Sequence, residues 1–174
     1  MERKLLSPRG CDILTTLSSL PHKILSIHGR ENISEFVLHD LCKPECFNLK
    51  RAAYFIDNPD FDCCKGIAGF CKEEQYANGL WQNPESFTDF MNRSAFNQKV
   101  RNTTKSSYKK CKSCDDTILK ELAQEVNIEN PEYYTWDLKH DNHGILIFER
   151  NSEDSEKLHE YLHGACILGF CPVH

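Results

Sequence analysis

Ten cysteines and eight histidines fall in a few short windows of this 174-residue chain, and thiolate and imidazole are the side chains that favour zinc and other soft metals. The densest window runs from His159 to His174, with His163, Cys166 and Cys171 between them. An α-helix advances about 100° per residue, so His159, His163 and Cys166 would share a face roughly 60° wide. They could hold one ion, with Cys171 or His174 completing the set if the helix ends near Gly169. Alternatively, Cys166 packs as a small apolar residue and the histidines line a solvated helix edge. Gly164 weakens the helix premise itself, because glycine is a poor helix former.

The pair Cys111-Lys-Ser-Cys114 is the one C-x2-C of the chain. Two thiolates at that spacing suit zinc, but a zinc finger needs a second pair, and the sequence has none. Lys109, Lys110, Lys112 and the start of a following helix would favour thiolate, so a reactive dithiol is another reading. A thioredoxin-like site would follow an apolar strand, whereas residues 98–110 are polar and basic. An ordinary exposed pair is the third reading. A further group is His39-Asp-Leu-Cys42 with Cys46, followed by Cys63-Cys64 and Cys71. Its spacing matches no ferredoxin-type run, and Cys64 and Cys71 lie in a Gly/Ala/Phe-rich stretch that suits core packing. His140-Asp-Asn-His143 could bind metal or exchange protons near neutral pH, or simply supply the polar residues of a turn. No G-x-S-x-G, H-E-x-x-H, P-loop or G-x-G-x-x-G motif occurs, so no acid, base and nucleophile set is legible.

The elements that must position these groups can be read from periodicity. Leucines at 14, 17 and 20 predict a helix from Cys11 ended by Pro21, with His22–Ile27 as a strand. Asn32-Ile-Ser-Glu35 has capping-box spacing and opens a helix to about Leu41. Arg51–Ile56 is a short apolar run that predicts a buried strand, which would complete a β-α-β unit. Ser86-Phe-Thr-Asp89 opens a helix carrying Phe87, Phe90, Met91, Ala95 and Phe96. Asp115 and Asp116 favour the N-terminus of a helix running to Val126. Tyr133–Leu138 and Gly144–Glu149 predict a β-hairpin around a polar loop. A final helix should begin between Ser152 and Ser155 and dock Leu158, Leu162 and Ala165 on the sheet face bearing Ile145 and Ile147.

These elements predict an α+β fold over a single domain, residues 1–174, with a small sheet of about four strands including the C-terminal hairpin. Several helices pack on it, the last closing the chain, and a polar basic loop lies around 98–113. The hydrophobic fraction of 40% and charged fraction of 27% are those of an ordinary globular chain. No apolar run approaches the ~18 residues of a membrane span, and the first residues show no export signal. A cytoplasmic location with reduced thiols is therefore expected, and Asn32, Asn92 and Asn102, though in N-x-S/T sequences, carry no glycosylation meaning. The net charge of −5 and pI near 5.9 argue against nucleic acid as a partner. The basic run Lys99, Arg101, Lys105, Lys109, Lys110 and Lys112 could serve an anionic partner or form a solvated loop. The functional expectation is a metal-binding protein, with zinc held by residues among His159, His163, Cys166, Cys171, His174, Cys111 and Cys114. The metal would support the fold and recognition of a partner protein. A metal-dependent or thiol-redox enzyme is the alternative, and a metal-free interaction or regulatory protein with buried cysteines is the second.

Overall fold

Two antiparallel hairpins lie side by side and build the sheet. In the computed structural model, which describes residues 6–109, 115–152 and 157–173, β1 (Leu49–Asn58) pairs with β2 (Cys63–Cys71), and β4 (Glu132–Asp137) with β5 (His143–Arg150). β1 also pairs with β5, and the two-residue β3 (Thr104–Lys105) extends the edge at β2, giving the order β3-β2-β1-β5-β4. The helices α1 (Pro8–Ser26), α2 (Ile33–Cys42), α3 (Pro84–Arg93), α4 (Ala95–Asn102) and α5 (Asp115–Glu125) complete an α+β fold.

Both faces of the sheet are buried, because side chains alternate across a strand and both sets are apolar. Ala52 and Tyr54 of β1 join Leu146 and Phe148 of β5 in one core, covered by α1, α2, α3 and the C-terminal segment. Ala53 and Phe55 join Ile145 and Ile147 in the other, covered by α4 and α5. α2 is the most enclosed helix: all ten of its residues are buried, including Ser34, Glu35, His39 and Asp40.

Several expectations are corrected. α1 runs through Pro21 to Ser26, so His22–Ile27 is not a strand and no β-α-β unit forms. The apolar stripe Ile13, Leu17, Leu20, Ile24, Ile27 continues across the proline at helical spacing and packs into the core, and this burial offsets the roughly 3 kcal/mol an internal proline costs. Residues 98–102, expected as loop, belong to α4. The C-terminal segment is not an α-helix: Leu158–Glu160 and Leu162–Phe170 form 3₁₀ turns. Leu162, Ala165, Leu168 and Cys171 are all buried, a three-residue spacing that matches the 3₁₀ period rather than the α period. Leu158, Leu162 and Ala165 do dock on the sheet, but on the face bearing Leu146 and Phe148, opposite Ile145 and Ile147.

Candidate functional site

The 3₁₀ geometry separates the proposed C-terminal ligands. His159 sits on the first turn with its side chain 77% exposed, 3.9 Å from Glu132 Oε2. His163 lies on the second segment and is exposed, whereas Cys166 is half-buried with its Sγ 3.8 Å from the Tyr134 hydroxyl. Cys171 is buried, and burial pushes its thiol up to about 12, away from the thiolate a metal needs. Cys111, Cys114 and His174 lie outside the described residues. Among the described residues, no group of three or more His, Cys, Asp or Glu side chains is placed to hold a metal ion.

The other clusters are similarly dispersed. All eight described cysteines are free thiols, and burial raises Cys42, Cys46 and Cys64, with Cys46 pushed up to about 12. Cys71 donates to Glu73 Oε2 at 2.8 Å. His143 Nδ1 pairs with Asp137 Oδ1 at 2.9 Å across the hairpin. The basic run is divided as well: Lys105 pairs with Glu125 at 3.3 Å, while Arg101 turns the other way, toward α2.

Arg101 borders a cleft of about 700 Å³ at the N-terminal end of α2. Its walls include Arg30, Glu31 and Asn32 before and at the helix start, Ser34 and Glu35 inside it, and Thr88, Asn92 and Arg101 from α3 and α4. Lys65, Gly66 and Ile67 of β2 close it. The register shifts there, with Tyr54 opposite Ala68 but Phe55 opposite Gly66, so Ile67 bulges from the ladder. Bulges re-aim backbone and side chains at sheet edges. A Cβ on Gly66 would collide with the Val100 carbonyl, so only glycine allows α4 to approach this closely.

Glu35, only 2% exposed, organises the wall. Its Oε1 accepts from Asn97 Nδ2 at 2.8 Å and lies 3.4 Å from Arg101 Nη1, and its Oε2 accepts from Asn32 Nδ2 at 2.8 Å. Asn97 in turn accepts from the β2 edge at Gly69 N, 2.9 Å away, and donates to the Met91 carbonyl. A buried carboxylate surrounded by donors in this way is held in place and charged-group desolvation is compensated. Asn32 and Glu35 therefore do not form the expected capping box: the Asn32 side chain caps no backbone N–H of α2 and bonds to the Glu35 carboxylate instead. Arg30 is engaged by Glu85 at 2.5 Å. Lys65 is exposed and has no carboxylate partner among the described residues.

No protein-family model, curated protein or solved structure matches this chain. What the cleft can do follows from its own chemistry. Three cations and the uncapped, positive end of the α2 dipole border one opening, an arrangement suited to an anionic group. Ser34 Oγ, buried in the same wall, makes no ordinary hydrogen bond among the described residues, its polar neighbour being the weakly bonding Cys171 thiol. In the sequence Glu35 stands in a capping-box pattern and Arg101 in a basic run, and neither pattern marks the shared wall that the two residues form.

Proposed function

We propose that the chain is a small-molecule-binding domain whose cleft at the start of α2 takes a compact anionic ligand, a carboxylate or a phosphate ester. The observation that carries this reading is the pairing of a hydrogen-bonded wall around Glu35 with Lys65, a cation that has no carboxylate partner among the described residues, across the same opening. Arg101 is oriented by Glu35 and Asn92, so its guanidinium needs little ordering to meet a ligand, and preorganisation of this kind favours affinity. The volume of about 700 Å³ lies within the range of small-molecule sites. Calorimetry of the full chain with succinate, glutamate and phosphate is the test. Binding of at least one, accompanied by a raised melting temperature, is expected. Lys65→Gln, at an exposed position that should not disturb folding, is expected to weaken that binding about tenfold, as loss of one charge-assisted contact does. Failure of all three anions to bind, or equal affinity in the variant, overturns the reading.

Zinc binding through Cys111 and Cys114 is the second reading, favoured by their C-x2-C spacing between lysines. Elemental analysis of the purified protein, with alkylation of the two thiols before and after chelator, tests it independently of the cleft. Chelator-dependent protection is expected. Fast or slow alkylation indifferent to chelator, with no zinc in the protein, overturns it.

A further inference from the structure

A different cavity, of about 250 Å³, lies at the opposite end of α2 and is lined by His39, Cys42, Leu49, Phe70 and Tyr76. His39 is only 4% exposed, and its ring is wedged edge-on between Phe70, 5.1 Å away, and Phe87, 5.2 Å away. Neither ring nitrogen has a hydrogen-bond partner among the described residues; the ring approaches its own backbone without bonding geometry. Tyr76, in the wall of the same cavity, has a buried hydroxyl that is also without a partner among the described residues, and its ring packs against Phe87 and Phe90 at 5.3 and 5.2 Å. Buried polar groups are nearly always satisfied, and a cluster of exceptions around one cavity calls for a reason. We infer that this cavity is a second binding site, for a small uncharged molecule that presents a hydrogen-bond donor beside an acceptor on a flat apolar body, the chemistry of an aromatic amide or a phenol.

The imidazole and the phenol define the polar half of that ligand. A neutral imidazole offers one N–H and one lone pair, and a phenol can donate or accept, so together they match an adjacent donor and acceptor. Phe70, Leu49 and the Tyr76 ring supply the apolar half. Charge is excluded by the surroundings. Of the charged residues at the cavity, Lys43 is taken by Asp40 at 2.7 Å, and Glu45 and Lys72 stand exposed at the rim. A charged ligand inside would lack a counter-ion, at high cost. The volume corresponds to about eight waters, room for a single ring with one substituent. This inference does not depend on the anion cleft, which shares α2 but none of these residues.

The test uses benzamide and phenol as probes on the full-length, ¹⁵N-labelled chain, with the His39 imidazole nitrogens followed by NMR. At least one probe is expected to bind in the millimolar range, as suits a ligand of about nine non-hydrogen atoms, and to shift the His39 nitrogen resonances on saturation. Tyr76→Phe, which removes a single unpaired oxygen and preserves the ring packing, is expected to weaken binding about tenfold. His39→Phe is expected to do the same or more, and Lys65→Gln to leave it unchanged. The inference is overturned if neither probe moves the His39 nitrogens, if Tyr76→Phe binds as the parent does, or if the free protein shows a His39–Tyr76 hydrogen bond that persists with probe present.

Discussion

The two ends of α2 treat buried polarity in opposite ways. At the N-terminal end, Glu35 is enclosed and satisfied by Asn32 and Asn97, with Arg101 beside it. At the C-terminal end, His39 is as deeply enclosed and has no hydrogen-bond partner for its ring nitrogens among the described residues. One turn separates them on one helix, so helix geometry is not the cause. Their neighbours are. Glu35 faces the polar start of α4 and the edge of β2, where side-chain amides and guanidinium groups reach it, whereas His39 is surrounded by the aromatic rings of Phe70 and Phe87. Asp40, adjacent to His39 in sequence, points elsewhere and gathers Lys23, Lys43 and Trp81 Nε1 within 2.8 Å. Burial alone would raise its carboxyl, but the lysine hydrogen bonds outweigh burial and hold it below the usual range. Residues four apart share a face of an α-helix, so whether a buried polar group here stabilises the fold or is left available depends on what packs against it along α2.

The largest expected effect breaks the satisfied end. Glu35→Ala would leave the Asn32 and Asn97 amides and the Arg101 guanidinium unanswered, and is expected to cost about 3 kcal/mol or more in urea denaturation. Glu35→Gln, which keeps an acceptor oxygen, should cost visibly less. Equal losses in the two variants would show that Glu35 acts through packing and not through its hydrogen bonds.

The unsatisfied end should reveal itself through pH. Burial, aided by Lys43, pushes His39 down from 6.5 to about 4, so between those values the unfolded chain binds the proton and the folded chain does not. Stability therefore declines as pH falls from 6.5 toward 4, by about 3 kcal/mol in total for this residue. In His39→Phe that part of the pH dependence should vanish, with stability at neutral pH equal to or above the parent's, because two unpaired polar atoms are removed. An unchanged pH profile in the variant would mean that His39 is not sealed off as described.

A smaller difference separates thiols where the start of α1 meets the segment after α2, joined by Arg9 donating to the Cys46 carbonyl. Cys11 is exposed on α1, whereas Cys42 and Cys46 are buried. Cys11 is expected to alkylate in the native state while Cys42 and Cys46 react only when the structure opens. Mass mapping of the labelled sites checks this, and rapid native labelling of Cys42 would mean that the helix end is looser than its packing indicates. The least effect belongs to Lys65→Gln, whose stability should stay within about 0.5 kcal/mol of the parent. This separates a residue available for binding from Glu35, which also holds the wall together.

Local periodicity by itself determined the hairpin of β4 and β5, helix α5 and the strand in β1, because period 2 and period 3.6 are properties of neighbouring residues. It also determined that the chain would be α+β. It did not show that α1 survives Pro21, since the decisive stripe from Ile13 to Ile27 stabilises only when a core exists to receive it. It assigned the C-terminal segment to Ile145 and Ile147, whereas the segment meets Leu146 and Phe148: both faces of β5 are apolar, and the choice between them is made by what packs on each side. It pointed to His159, His163 and Cys166 as one group on the assumption of an α-helix, and the three-residue spacing of Leu162, Ala165 and Leu168 leads the chain elsewhere. The cleft was beyond its reach for the same reason. Glu35 meets Asn97 and Arg101 across 62 and 66 residues of chain, a convergence that no local pattern encodes and that exists only because α2 and α4 both pack against β2.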